Sequence, residues 1–325
     1  MHITAPSAAL AAAILSACIC LSAQATTDNP ALRAGEHQVV VNDVRLWYKV
    51  AGHQANGAPP LLFLHGGPGN NSYSFEAQAG HALEQHVQMI YLDQRGSGRS
   101  ERPWRGDYSI AGLVEDIEAL RKTLGVPKIA VMGHSFGGTL ALEYAAAYPQ
   151  HVAKVVLVSA AADIPAACAA RVDYIARHYP DRLEKARAEA KARNETPDTC
   201  FYAFNSVGPD LHQRVNDEVM FPDMALGKRQ DDLDAKSGLR NTGELGNALF
   251  GGGFTSYRFA HPERLTMPVL VMAGAEDYAI GLPAQRALGQ TLPHARVVEY
   301  PHAGHFLYLD APDRFTRDVT DFLAR

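Results

Sequence analysis

Ile129-Ala130-Val131-Met132-Gly133-His134-Ser135-Phe136-Gly137-Gly138 is the stretch on which the fold turns. Its first four residues form a short apolar run, the pattern from Phe136 to Tyr148 is helical, and G-x-S-x-G stands at the junction. A strand that turns straight into a helix leaves no room for side chains at the two glycines, and it exposes the serine hydroxyl at the strand's end. Leu61-Leu62-Phe63-Leu64, Met89-Ile90-Tyr91-Leu92, Val155-Val156-Leu157-Val158 and Val269-Leu270-Val271-Met272 are similar runs. Continuous apolar strands suit a parallel sheet buried on both faces. Helical patterns separate them, including 110–124, with Leu113, Ile117, Leu120 and Leu124 on one face and Ser109 placed to cap it, and 313–323 near the end. Upstream, Val39-Val40-Val41, a turn at Asn42-Asp43 and 44–50 read as an antiparallel hairpin. Alternating strands and helices predict an α/β protein with a mostly parallel, doubly wound sheet.

The alternation stops between 162 and 263, where charged, Ala-rich stretches such as 182–193 replace the strand runs. Four segments are expected: a leader at 1–25, a first core part at 26–161, a helical cap at 162–263 and a second core part at 264–325. An insertion after a strand sits beside the carboxyl edge of the sheet, where open α/β sheets bind ligands. Residues 8–21 are almost wholly apolar and are followed by Ser22-Ala23-Gln24-Ala25, an A-x-A cleavage pattern. This predicts a signal peptide over 1–25 and a periplasmic or secreted protein. Leu15-Ser16-Ala17-Cys18 also resembles the lipobox of bacterial lipoproteins, so lipidation of Cys18 and a membrane-anchored lipoprotein form the alternative. Cleavage after Ala25 leaves Cys168 and Cys200, which either pair in an oxidising compartment or remain two buried thiols.

With 325 residues, 47% hydrophobic and 20% charged, the chain can bury a large core. A net charge of -5 leaves none of the basic footprint that nucleic-acid binding needs.

A hydroxyl attacks a carbonyl only when a base takes its proton and a carboxylate holds that base in the right tautomer. The elbow and the doubly wound sheet resemble the α/β-hydrolase fold, in which serine, acid and histidine follow in that order. Gly274-Ala275-Glu276-Asp277 leaves the run 269–273, and Ala303-Gly304-His305-Phe306 follows the strand-like 296–300. Asp277 is favoured over Glu276, and His305 over His302. As a metal pair, His302 and His305 lack a third clustered ligand, and H-E-x-x-H is absent, so neither metal nor cofactor is expected. His65-Gly66-Gly67-Pro68-Gly69 follows 61–64 and places the Gly67 N–H where a second oxyanion donor originates, beside that of Phe136. The loop lacks the endings of a P-loop and of a dinucleotide fingerprint.

HGGPG at 65–69, DQRGSGRS at 93–100 and GHSFGG at 133–138 together resemble the proline iminopeptidase (prolyl aminopeptidase) family of α/β-hydrolases, over 39–161 and 264–325. The resemblance implies a metal-free serine hydrolase that releases an amino-terminal residue, preferably proline, from short peptides through an acyl-enzyme. Ser135, Asp277 and His305 match that family's catalytic triad, and Gly67 and Phe136 its oxyanion hole. Asp93 and Arg95 read as loop-fixing residues. Caps in that family carry Trp- and Glu-containing segments whose carboxylates receive the substrate's ammonium, whereas Trp47 and Trp104 both lie outside this cap. Glu244, near Phe250, Phe254 and Tyr257, is the candidate substrate-binding acid. A carboxylic-ester or lactone hydrolase shares all of this chemistry and is the alternative. A non-catalytic binder of a small ligand is a second one, disfavoured because the full catalytic set occurs in the right order.

Overall fold

The computed structural model describes residue 2 and residues 29–53, 58–239 and 243–325. The expected signal peptide and Cys18 lie outside the described residues. Eight strands, β1 (Gly35–Val41), β2 (Val44–Ala51), β3 (Leu61–Leu64), β4 (Met89–Asp93), β5 (Ile129–His134), β6 (Val152–Val158), β7 (Val269–Gly274) and β8 (Ala295–Tyr300), form one sheet. Their order is β1-β2-β4-β3-β5-β6-β7-β8. β1 and β2 form the antiparallel hairpin, with Asn42 at positive φ in its turn, and β2 runs antiparallel to β4. The other neighbours are parallel. The longer helices are α1 (Ile110–Thr123), α2 (Phe136–Ala147), α3 (Ile164–His178), α4 (Pro180–Ala192), α5 (Thr199–Asn205), α6 (His212–Met220), α7 (Met224–Ser237), α8 (Glu244–Gly251), α9 (Leu282–Thr291) and α10 (Pro312–Ala324).

Period-two alternation divides the strand side chains between two faces. Leu62, Leu64, Val131 and Leu157 pack with Ile117 and Leu120 of α1 and Leu140 of α2. Leu61, Phe63, Met132 and Met272 pack with Phe315, Val319 and Phe322 of α10. Both faces are therefore covered, which is why the central strands are apolar throughout. The Gly112 N–H donates to Ser109 Oγ at 3.0 Å and closes the first turn of α1.

β3 lies between β4 and β5, so the chain winds first one way and then back past it. The loops leaving β3 and β5 diverge at this switch point, the usual place for a ligand crevice. Arg95 is buried below that edge, with Nε and Nη2 donating to Asp116 at 2.6 and 2.7 Å, while Asp93 accepts from Ser72 and Arg99. These pairs lock the 93–100 segment.

Helices α3–α8 all lie between β6 and β7, and part of this segment packs around a small core of its own, with Ile175, Leu183, Val215 and Val219. Of the two states open to Cys168 and Cys200, the structure holds the disulfide, which ties α3 to α5 with Cα atoms 4.9 Å apart. Among the described residues no helix is long and apolar enough to cross a membrane.

Candidate active site

At the turn from β5 to α2, Ser135 adopts φ 55° and ψ −119°, a conformation that L-residues rarely hold. Its own amide donates to Val158 O, and its carbonyl accepts from Gly138 and Ala161, so the strained backbone is fixed on three sides. A Cβ on Gly137 would lie 2.0 Å from Leu64 O, and one on Gly133 would lie 2.1 Å from Gly137 O. Only glycine permits this turn. A Cβ on Gly66 would stand 2.9 Å from Ser135 Cβ, so the loop after β3 presses directly on the serine. The amides of Gly67 and Phe136 have no hydrogen-bond partner among the described residues, and both residues line the same cavity as Ser135. Phe136 also opens α2, where the helix dipole favours negative charge.

β7 and β8 deliver the other two groups. Asp277 is buried, and its Oδ2 accepts from His305 Nδ1 at 3.0 Å while its Oδ1 accepts from the Ala279 and Ile280 amides at 3.0 Å each. Burial pushes this carboxyl up, but His305 and the Ile280 N–H outweigh it and hold it below the ordinary carboxylate range. The bond at Nδ1 makes Nε2 the basic nitrogen of His305. Glu276 and His302 instead face each other 3.7 Å apart at the surface, with the His302 side chain 93% exposed.

Both loops lean on the helical segment. Tyr278 N–H donates to Val219 O at 2.9 Å, and His305 N–H donates to Met220 O at 2.8 Å, so the last carbonyls of α6, which no helical amide can satisfy, hold the acid's loop and the histidine's. Two further histidines brace the floor. Burial and the neighbouring His305 push the His134 imidazole down to about 3, and as a neutral ring it donates from Nε2 to His305 O at 3.0 Å. His65, also lowered by burial, accepts the Gln94 N–H at Nε2 and donates from Nδ1 to Gly66 O.

Ser135 and His305 share a cavity of about 190 Å³, walled mostly by apolar side chains including Ile164, Phe204, Phe250, Phe254, Ile280 and Phe306. Glu244 is not on its wall: Oε2 accepts from Tyr108 OH at 2.7 Å and pairs with Arg102 Nε at 2.9 Å. The expectation that this acid faces the serine is not met, because the start of α8 turns it toward the segment 102–108. An adjoining cavity of about 30 Å³ shares Gly66, Asn70, His134 and Phe306 and has Asp234 of α7 on its wall. Asp234 accepts there from Ser74 and Gln230. Among the described residues no three His, Cys, Asp or Glu side chains stand together as a metal site.

The sequence pattern of the alpha/beta hydrolase fold family matches residues 59–312. The chain belongs to that family. A proline iminopeptidase of Lactiplantibacillus plantarum is 26% identical over 291 residues, covering 87% of this chain and 98% of its own. A protein of Cronobacter turicensis assigned as a carbamate hydrolase is 25% identical and covers 80% of this chain and 88% of its own. The crystal structure of a proline iminopeptidase-related protein from Thermus thermophilus superposes with a TM-score of 0.72 at 27% identity, over 90% of this chain and 98% of that one. The resemblance to proline iminopeptidases thus extends through the inserted helices, while the relatives' chemistry is mixed.

Among the polar residues at this hydrolase's cavities that escape a reading of motifs are Arg171 and Asn216 in the larger and Asp234 in the smaller. A signal for the first exists. The buried residues of α3 are Ile164, Ala167, Cys168, Arg171, Tyr174 and Ile175, so a charged side chain falls on the apolar stripe of the helix.

Proposed function

We propose that this protein is a serine hydrolase in which Ser135 is the nucleophile, His305 the general base and Asp277 the residue that orients and charges the base. The observation that carries the reading is that Ser135 and His305 line one cavity while a fully buried Asp277 holds His305 Nδ1 at 3.0 Å. In the acylation step the Ser135 Oγ bonds to the substrate's carbonyl carbon and its proton passes to His305 Nε2. The carbonyl oxygen takes up the negative charge between the Gly67 and Phe136 amides, and the leaving group departs with the proton from His305. Water then repeats the sequence on the acyl-enzyme, releasing acid and free serine.

The reading favoured for the substrate is a small carboxylic ester or lactone. An aminopeptidase must desolvate an ammonium group against a carboxylate, and among the described residues no Asp or Glu lines the larger cavity. The proline iminopeptidase relatives support a second reading, release of an amino-terminal residue, with Asp234 as the acid at hand. Against it, the adjoining space of about 30 Å³ holds little more than a water molecule.

A fluorophosphonate probe is expected to label the wild-type protein at Ser135 and to leave Ser135→Ala unlabelled and inactive with its fold intact. Wild-type-like turnover by the variant would overturn the assignment. Proline-linked and acetyl-linked chromogenic substrates then separate the two readings: only the acetyl ester should be cleaved well, and proline release that is lost in Asp234→Asn would reverse that choice.

A further inference from the structure

Arg171 is 4% exposed, and among the described residues no carboxylate pairs with it. Its Nε donates to Ala203 O at 2.8 Å and its Nη1 to Asn216 Oδ1 at 3.3 Å, while the Phe204 ring lies 5.2 Å from its Cζ. Nη2 is buried with no hydrogen-bond partner among the described residues. A buried donor left without an acceptor is costly, and a buried guanidinium without a counter-charge more so, so native structures rarely keep one without a use. Nε and Nη1 suffice to brace α3 against α5 and α6. The remaining edge of the fork belongs to a residue on the wall of the cavity that holds Ser135 and His305.

We propose that Arg171 is a substrate-binding residue that selects acyl substrates carrying a carboxylate in addition to the bond that is cleaved, such as monoesters of short dicarboxylic acids or lactones with a carboxylate substituent. The rest of the wall supports a single negative charge. Ile164, Phe204, Phe250 and Phe254 are apolar, Asp and Glu are absent from the described lining, and one guanidinium balances one carboxylate. A phosphate dianion would leave excess charge in an apolar space. The cavity, about 190 Å³, matches a short chain and not a folded polypeptide. Asn216, whose Oδ1 is held by Nη1, offers its own amide donors beside the same group. Burial lowers the Arg171 guanidinium to about 10, which still leaves it charged at neutral pH.

The proposal rests on Ser135 as nucleophile only where turnover is concerned, so binding is measured separately. In Ser135→Ala, calorimetric titration should show monomethyl glutarate binding at least about tenfold more tightly than methyl pentanoate, its uncharged match. In wild type, kcat/KM for the same two esters should differ in the same direction, mainly through KM. Arg171→Met should lose more on the charged ester than on the neutral one by about tenfold or more, and Arg171→Lys should recover part of that difference. Equal affinity for the two esters in Ser135→Ala, or a preference that survives Arg171→Met, would overturn the proposal. Should Arg171→Met fail to fold, the comparison in Ser135→Ala decides alone. If that comparison favours the charged ester while the fluorophosphonate spares Ser135, the anion site stands and the serine hydrolase reading falls.

Discussion

Neither oxygen of Asp277 is left to solvent: one takes the His305 Nδ1–H and the other takes two backbone amides. Asp277→Asn keeps the size and offers an NH₂ group to a nitrogen that should itself donate, so the imidazole is driven to the wrong tautomer. The expected result is a fall in kcat on the order of 10³–10⁴-fold with unchanged circular dichroism and little change in KM. A mild loss there and a severe one in Glu276→Gln would reassign the acid. At this scale the sequence was most legible where backbone geometry dictates residue type. Gly133, Gly137 and Gly66 are required by contacts closer than any Cβ tolerates, and that requirement is what makes the motifs recognisable. Glu244 is the opposite case. Proximity in sequence to Phe250 and Phe254 says nothing of which way a side chain leaves the first turn of a helix, and there Tyr108 and Arg102 claim the carboxylate.

Among elements, the strands and the helices of the core could be read from their apolar patterns, because burial on one face or two leaves a period in the chain. The hairpin appears with its turn at Asn42-Asp43, and α1 starts behind the Ser109 cap. The inserted helices were legible as helices and little more, since their packing on one another leaves no motif. The disulfide belongs to this level. It closes a loop of 32 residues between α3 and α5, and Cys168 lies on the cavity wall one turn before Arg171. Loop-closure entropy assigns such a bridge roughly 3–4 kcal/mol. Dithiothreitol should therefore lower the melting temperature of the wild type and leave that of the Cys168→Ser/Cys200→Ser double variant unchanged, with the double variant melting below the oxidised wild type. A reductant-insensitive wild type would show that the bridge does not form.

For the molecule as a whole, stability in acid follows from carboxylates held in ion pairs. Glu118 is buried against Arg121, with Tyr144 OH and His151 beside it. Burial raises its carboxyl, but these partners outweigh that and hold it down to about 2 from the ordinary 4.5. A depressed carboxylate stabilises the folded state above the unfolded pKa and loses that contribution as pH falls through the folded one. The Glu118 contribution should be intact at pH 6 and should fade between about pH 4.5 and 2. Asp277 shifts in the same direction. Urea midpoints for wild type and Glu118→Gln, taken from pH 7 to 2, should lie far apart at neutral pH and converge in acid. Parallel curves would refute the assignment.

The amides of His305 and Tyr278 end on the last two carbonyls of α6. Anyone building chimeras to alter selectivity inherits this splice. Exchanging α6 alone would strip two anchor points from the loops after β7 and β8, so donor sequence up to about residue 222 must travel with its matching loops.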